Sequence, residues 1–175
     1  INFGVPLLDP ESKLVAPVAK VAPRDPIAAE SIAKWDTYDP ETPGSSELCY
    51  FFELVGDSAD RTRVLLHNAA GNHGVSLSFD KNQLPYFTQW KSRQAAVDGY
   101  VTGLEPAVNF PNIRSFEKEK GRVEILQPGE SRKFEITIEA HDTTASVDAA
   151  RAEVAKLQEG IETEVYQQPN PEWSP

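Results

Sequence analysis

The sequence predicts a mainly β chain, an antiparallel β-sandwich with one helix near the C-terminus. Three observations carry that. Residues 62–67 and 74–79 alternate apolar and polar side chains around Gly71-Asn72-His73-Gly74, the pattern of a hairpin with one buried face. A second pair of runs, 121–126 and 131–140, flanks Gln127-Pro128-Gly129-Glu130, a proline–glycine turn. Helical stepping appears mainly near the C-terminus, where Val147, Ala150, Val154, Leu157 and Ile161 recur every three or four residues and so share one face. Several short strands at this spacing indicate a sandwich.

The elements follow in order. Asp25-Pro26 opens a short helical turn, with aspartate as cap and proline at the first helical position. Residues 36–46 are rich in Pro, Gly, Ser and Thr and read as loop. Residues 47–55 form an aromatic-rich strand closed by Gly56-Asp57. After the first hairpin, residues 80–83 end its second strand and 86–90 make the next. Residues 100–104 are strand-like and lead to Glu105, where Pro106, with no N–H to donate, stops the ladder. Glu117-Lys118-Glu119-Lys120 is a mixed-charge run and reads as a solvated loop. Alternation over residues 134–139 fits a strand with one face buried and one wet. Ser146 or Thr144 caps the C-terminal helix and Gly160 ends it. Residues 167–175 carry three prolines and form an extended tail that needs docking to be ordered. Residues 1–166 make one sandwich domain, and no internal repeat interrupts it.

Composition narrows the function. A length of 175 residues is one domain with room for a sizeable core. The net charge of −10 repels nucleic-acid phosphates and anionic lipid, so neither nucleic acid nor membrane is expected as a partner. No apolar run is long enough to span a bilayer. The single cysteine, Cys49, cannot make an internal disulfide and reads as inert packing in an apolar strand, which makes a cytoplasmic protein the default. The chain contains no methionine and opens on Ile1-Asn2-Phe3-Gly4-Val5-Pro6, which reads as the interior of a longer sequence.

Chemistry concentrates at residues 98–112, Asp-Gly-Tyr-Val-Thr-Gly-Leu-Glu-Pro-Ala-Val-Asn-Phe-Pro-Asn. Glu105 ends a strand and precedes a proline-stiffened loop, a seat for a general base, although a solvated turn carboxylate has the same pattern. Gln89 and Lys91 flank Trp90, so on a strand they point one way and the indole the other. They offer hydroxyl-binding donors, and the indole is expected to fill the core rather than stack on a ligand. Asn2 and Asn109 are candidate hydroxyl ligands or turn formers. Of the three histidines, His73 and His141 read as surface residues, and His67 is the best candidate acid within the chain.

Leu104-Glu105-Pro106 followed by Asn109-Phe110-Pro111-Asn112 resembles the segment that carries the catalytic glutamate of aldose 1-epimerases (galactose mutarotases). Thr88-Gln89-Trp90-Lys91 resembles the segment before it, in the less characterised, epimerase-like branch of that family. The run from Gly121 to Ser131 is similar to the family's closing strand pair, and the likeness spans residues 1–141. The resemblance implies the C-terminal portion of a large mutarotase-like sandwich, whose remaining N-terminal portion would be a partner. It implies a free aldose as substrate and ring opening by acid and base, with no cofactor and no metal. Glu105 maps onto the base, and Glu47 onto an acidic residue that hydrogen-bonds sugar hydroxyls, though Glu47 also fits a plain polar strand edge. The family's acid histidine would fall just before Ile1.

Two rival classes stay open. A non-catalytic carbohydrate-binding or structural sandwich would lack the acid histidine. A glycosidase would need a second carboxylate for Glu105, and Glu47 is the obvious one.

Overall fold

A computed structural model describes residues 3–175; Asn2, a candidate sugar ligand, lies outside the described residues. The chain forms two sheets. One is four-stranded and contains β1 (Lys13–Val15), β4 (Arg61–His67), β5 (Gly74–Asp80) and β8 (Ile136–His141), in the order β1-β4-β5-β8. The other is five-stranded: β2 (Val18–Pro23), β3 (Leu48–Leu54), β6 (Tyr86–Arg93), β7 (Tyr100–Ala107) and β9 (Glu164–Val165), in the order β7-β6-β3-β2-β9. Pairing is antiparallel except between β2 and β9. The fold is therefore mainly β, with the expected main helix, α3 (Thr144–Gln158), near the C-terminus. No helix of the described residues is long and apolar enough to cross a membrane.

The core lies between the sheets, where Tyr50, Phe52 and Phe87 meet Val64, Leu66 and Phe79. Helix α3 covers the outer face of the four-stranded sheet by burying Val147, Ala150 and Val154 against Leu65. Its cap is Thr143, whose side chain accepts the Ser146 N–H, one position before Thr144 and three before Ser146, the expected caps. Ile161 falls beyond the helix, which stops before Gly160 at φ 75°. The Asp25-Pro26 signal is realised as α1 (Pro26–Ala29), with the Asp25 carboxylate accepting the Ala28 N–H.

Four expectations are corrected. Pro106 does not stop the ladder, because β7 is an edge strand and runs on to Ala107 with Pro106 opposite Phe87; an edge strand tolerates a missing N–H on its open side. Residues 121–126 form no strand, because β8 pairs with β5 instead, and only the turn at Pro128-Gly129 remains of that hairpin. The alternating side chains of β8 do not bury one face: Ile136 and Ile138 lie opposite Phe79 and Leu77 yet remain 44% and 58% exposed. The charged run at 117–120 is no solvated loop; it closes helix α2 (Arg114–Glu119), and Glu117 is buried.

The tail is docked. Trp173 packs on Phe110, which stacks on Phe51 at a ring separation of 4.4 Å, so tail and loop together cover part of the outer face of the five-stranded sheet. Elsewhere on that face Glu53, Val101 and Glu105 are exposed.

Candidate functional site

Side chains alternate across a strand, so one face of β7 carries Val101, Gly103, Glu105 and Ala107. Register places Glu105 opposite Thr88, and Gly103 opposite Trp90. Trp90 in turn lies opposite Cys49 on β3. Glu105, Trp90 and Cys49 thus share the face that points away from the inter-sheet core. Trp90 is half-buried on this outer face and not in the core as expected.

Glu47 stands one residue before β3 and reaches the same place. One carboxylate oxygen accepts the Trp90 indole N–H at 2.6 Å, and the other pairs with Arg24 Nη2 at 3.0 Å. Arg24 also holds Asp25 at 2.9 Å. The Trp90 hydrogen bond and then the Arg24 guanidinium hold the Glu47 carboxyl below its ordinary range against a smaller opposing burial effect. Glu105 has the opposite environment. It is exposed at the surface of that face, yet a partial loss of solvent, and then the Glu47 charge, push its carboxyl upward. Two carboxylates on one face, one held ionised and one raised, form the pattern that separates a fixed anion from a proton-exchanging group. Below them Cys49 is buried, which pushes its thiol up to about 12 and makes it a poor nucleophile.

The other candidates lie elsewhere. Gln89 and Lys91 alternate away from Trp90 as expected, but into the core. Gln89 Nε2 donates to the Tyr38 hydroxyl at 2.9 Å, which also meets Thr102 at 2.8 Å. Lys91 donates to the carbonyls of Thr37 and Lys34 at 2.9 and 3.3 Å and lies over the Tyr38 ring; burial lowers its ammonium to about 7. Both side chains therefore pin the loop around Tyr38 to the sheet. His67 ends β4 on the other sheet, where Nδ1 donates to the Asn68 carbonyl at 2.8 Å and Nε2 faces Arg151 at 3.2 Å. Burial pushes its pKa down, which favours the neutral ring. Asn109 turns back on its own loop, donating to the Phe110 carbonyl at 2.6 Å.

Sequence reasoning missed the group that fixes the loop after β7. Arg122 binds Glu117 through two hydrogen bonds of 2.7 Å, with only 8% and 1% of the two side chains exposed. Asn112 donates to the same carboxylate and to the Trp173 carbonyl, each at 2.7 Å. Burial pushes the Glu117 carboxyl upward, but the Arg122 and Asn112 hydrogen bonds outweigh it and hold the group below its ordinary value. Asn-Phe-Pro-Asn is therefore a structural lock, in which Phe110 fills an aromatic pocket and Asn112 ties loop to tail. Nothing in the charge run itself distinguished Glu117 from its neighbours.

A sandwich with two carboxylates beside a half-buried tryptophan is the setting of the comparisons. The chain belongs to the family described as domain of unknown function DUF4432, whose model matches residues 1–140. It also has an aldose 1-epimerase-like relative. A candidate aldose 1-epimerase from Klebsiella pneumoniae subsp. pneumoniae MGH 78578 is 30% identical and superposes with a TM-score of 0.90 over 94% of this chain. The match spans 43% of that protein's chain, less than half its length. No curated protein matches.

Proposed function

We propose that this chain carries the base side of a sugar site and that the protein interconverts the anomers of a free aldose. The observation that carries the reading is the contrast between Glu47, clamped by Trp90 and Arg24, and Glu105 on the same face, which makes no hydrogen bond or ion pair among the described residues and whose carboxyl is raised. The 30% identical epimerase-like relative supports it.

In this reading Glu105 takes the proton of the anomeric hydroxyl as an acid protonates the ring oxygen; the ring opens, the aldehyde turns, and closure on the other face inverts the carbon. Glu47, fixed as an anion, accepts a sugar hydroxyl, and the Trp90 indole presents its ring to the apolar face of the pyranose. The three histidines sit at the end of β4, in the β4–β5 turn and at the end of β8, all on the four-stranded sheet. In this reading the acid role falls to a group other than these histidines.

The test is mutarotation of a panel of aldoses, followed by polarimetry or NMR, with Glu105→Gln beside the parent. Glutamine keeps the size and a hydrogen-bonding oxygen but takes no proton near neutral pH. The rate should fall at least about 10²-fold while sugar binding and thermal stability hold. Sugar binding by both proteins without rate enhancement by either would favour a carbohydrate-binding module. Equal rates would remove Glu105 from the chemistry.

We infer further that the apolar side of β8 is where the remainder of a longer sandwich packs. The half-exposed Ile136 and Ile138 continue the core-facing side of β5, and the relative has more than half its length beyond the match. A longer natural chain should show slow amide exchange on both edges of β8; fast exchange on its outer edge would refute this.

A further inference from the structure

Glycine in the middle of a strand is unfavourable, since it loses the most backbone freedom and packs nothing. β7 nevertheless carries Gly103 in its interior. Its backbone does not call for glycine, because its φ lies outside the left-handed region that the strained glycines of this chain occupy. The three atoms nearest to the place a Cβ would take all belong to Glu105: Oε1 closer than 3.0 Å, Cδ at 3.2 Å and Cγ at 3.3 Å.

We propose that Gly103 is a positioning residue, whose missing side chain leaves the berth in which the Glu105 carboxylate lies back along its own strand. The proposal rests on the reading of Glu105 as the base. Residues 103 and 105 share a face, and Trp90, directly opposite Gly103, stands beside the berth. The carboxylate is thereby held low against the sheet next to the indole. Any side chain at position 103 occupies that volume. What yields is the far end of a flexible glutamate and not backbone, so the fold tolerates the change and the carboxylate swings toward solvent.

The experiment is Gly103→Ala in the purified chain, with Glu105→Ala and the double variant. Thermal stability should stay level or rise slightly, because alanine suits a strand better than glycine. The Glu105 carboxyl, followed by carbon-13 NMR through a pH titration, should titrate closer to an ordinary glutamate in Gly103→Ala than in the parent. The catalytic rate should fall at least about tenfold with KM little changed, since a base displaced by about 1 Å costs up to 10²-fold. Added to Glu105→Ala, Gly103→Ala should change nothing more.

An unaltered Glu105 titration in Gly103→Ala would overturn the berth. So would loss of folding, or a further loss of sugar affinity in the Glu105→Ala background, since either would mean that Gly103 acts through the backbone. A shifted titration with a Gly103→Ala rate equal to the parent's would keep Gly103 as the residue that positions Glu105 and remove Glu105 as a base.

Discussion

Trp90 and Glu47 are joined by a 2.6 Å hydrogen bond from indole to carboxylate, and with Arg24 on the other oxygen that bond fixes one anion beside Glu105. A fixed anion raises the proton affinity of its neighbour. Glu105 acts as a base only when deprotonated, so the rate should rise with pH through its raised pKa.

Glu47→Gln should move that rising limb to lower pH. It should move only part of the way to the ordinary carboxylate value, because loss of solvent is the larger cause of the Glu105 shift and remains. A pH–rate profile of the variant against the parent measures it. An unmoved limb would show that the two carboxylates do not sense each other.

Arg122→Ala should be the most damaging single change outside the core. It strands the Glu117 carboxylate in a buried site and should cost about 3–5 kcal/mol, read as a Tm lower by roughly 6–20 °C. Glu117→Leu combined with Arg122→Met should cost less, because no buried charge is left over.

Acid should act through the same pair. The Glu117 carboxyl is lowered in the folded chain, so the unfolded chain binds its proton first. Its contribution is fully present above the ordinary carboxylate pKa, about 4.3, and is lost as pH falls through the lower folded value. Denaturant melts between pH 6 and 3 should show a shallower loss in the Glu117→Leu, Arg122→Met double variant.

Lys91 gives a slope of the same sign in a higher pH window. Burial lowers its folded pKa to about 7, so above that pH the folded chain has released a proton that the unfolded chain keeps. Stability should therefore gain with pH from about 7 towards the ordinary lysine value, about 10.4. Urea melts from pH 7 to 9 should show that gain in the parent and a flatter profile in Lys91→Met.

Ile138→Thr should cost little. The side chain is 58% exposed at the open edge of β8, and exposed substitutions usually stay within about 0.5 kcal/mol. A loss above about 2 kcal/mol in this chain would show that the edge is covered, for instance by a second copy.

Local geometry was legible in the residue pattern. Alternation placed β4 and β5, the turn at residues 80–83 put β6 after them, the aromatic run placed β3, and Asp25-Pro26 specified a capped turn, because each of these depends on neighbours a few residues away. It also put Trp90 opposite in sense to Gln89 and Lys91, and it singled out Glu105. What each face meets emerged only from the packed fold. Both sides of β6 carry groups that suit a core or a site, and the four-stranded sheet settled the matter by packing on the side of Gln89 and Lys91. β8 pairs with β5 rather than with residues 121–126, although its turn signal is local, because strand pairing is a contest between partners distant in sequence. Pro106 stays in the ladder because β7 has no outer neighbour among the described residues. Glu117 is buried because Arg122, Asn112 and the tail converge on it from separate segments. Period and capping act within a turn or two of the chain, whereas burial depends on which distant surfaces come together.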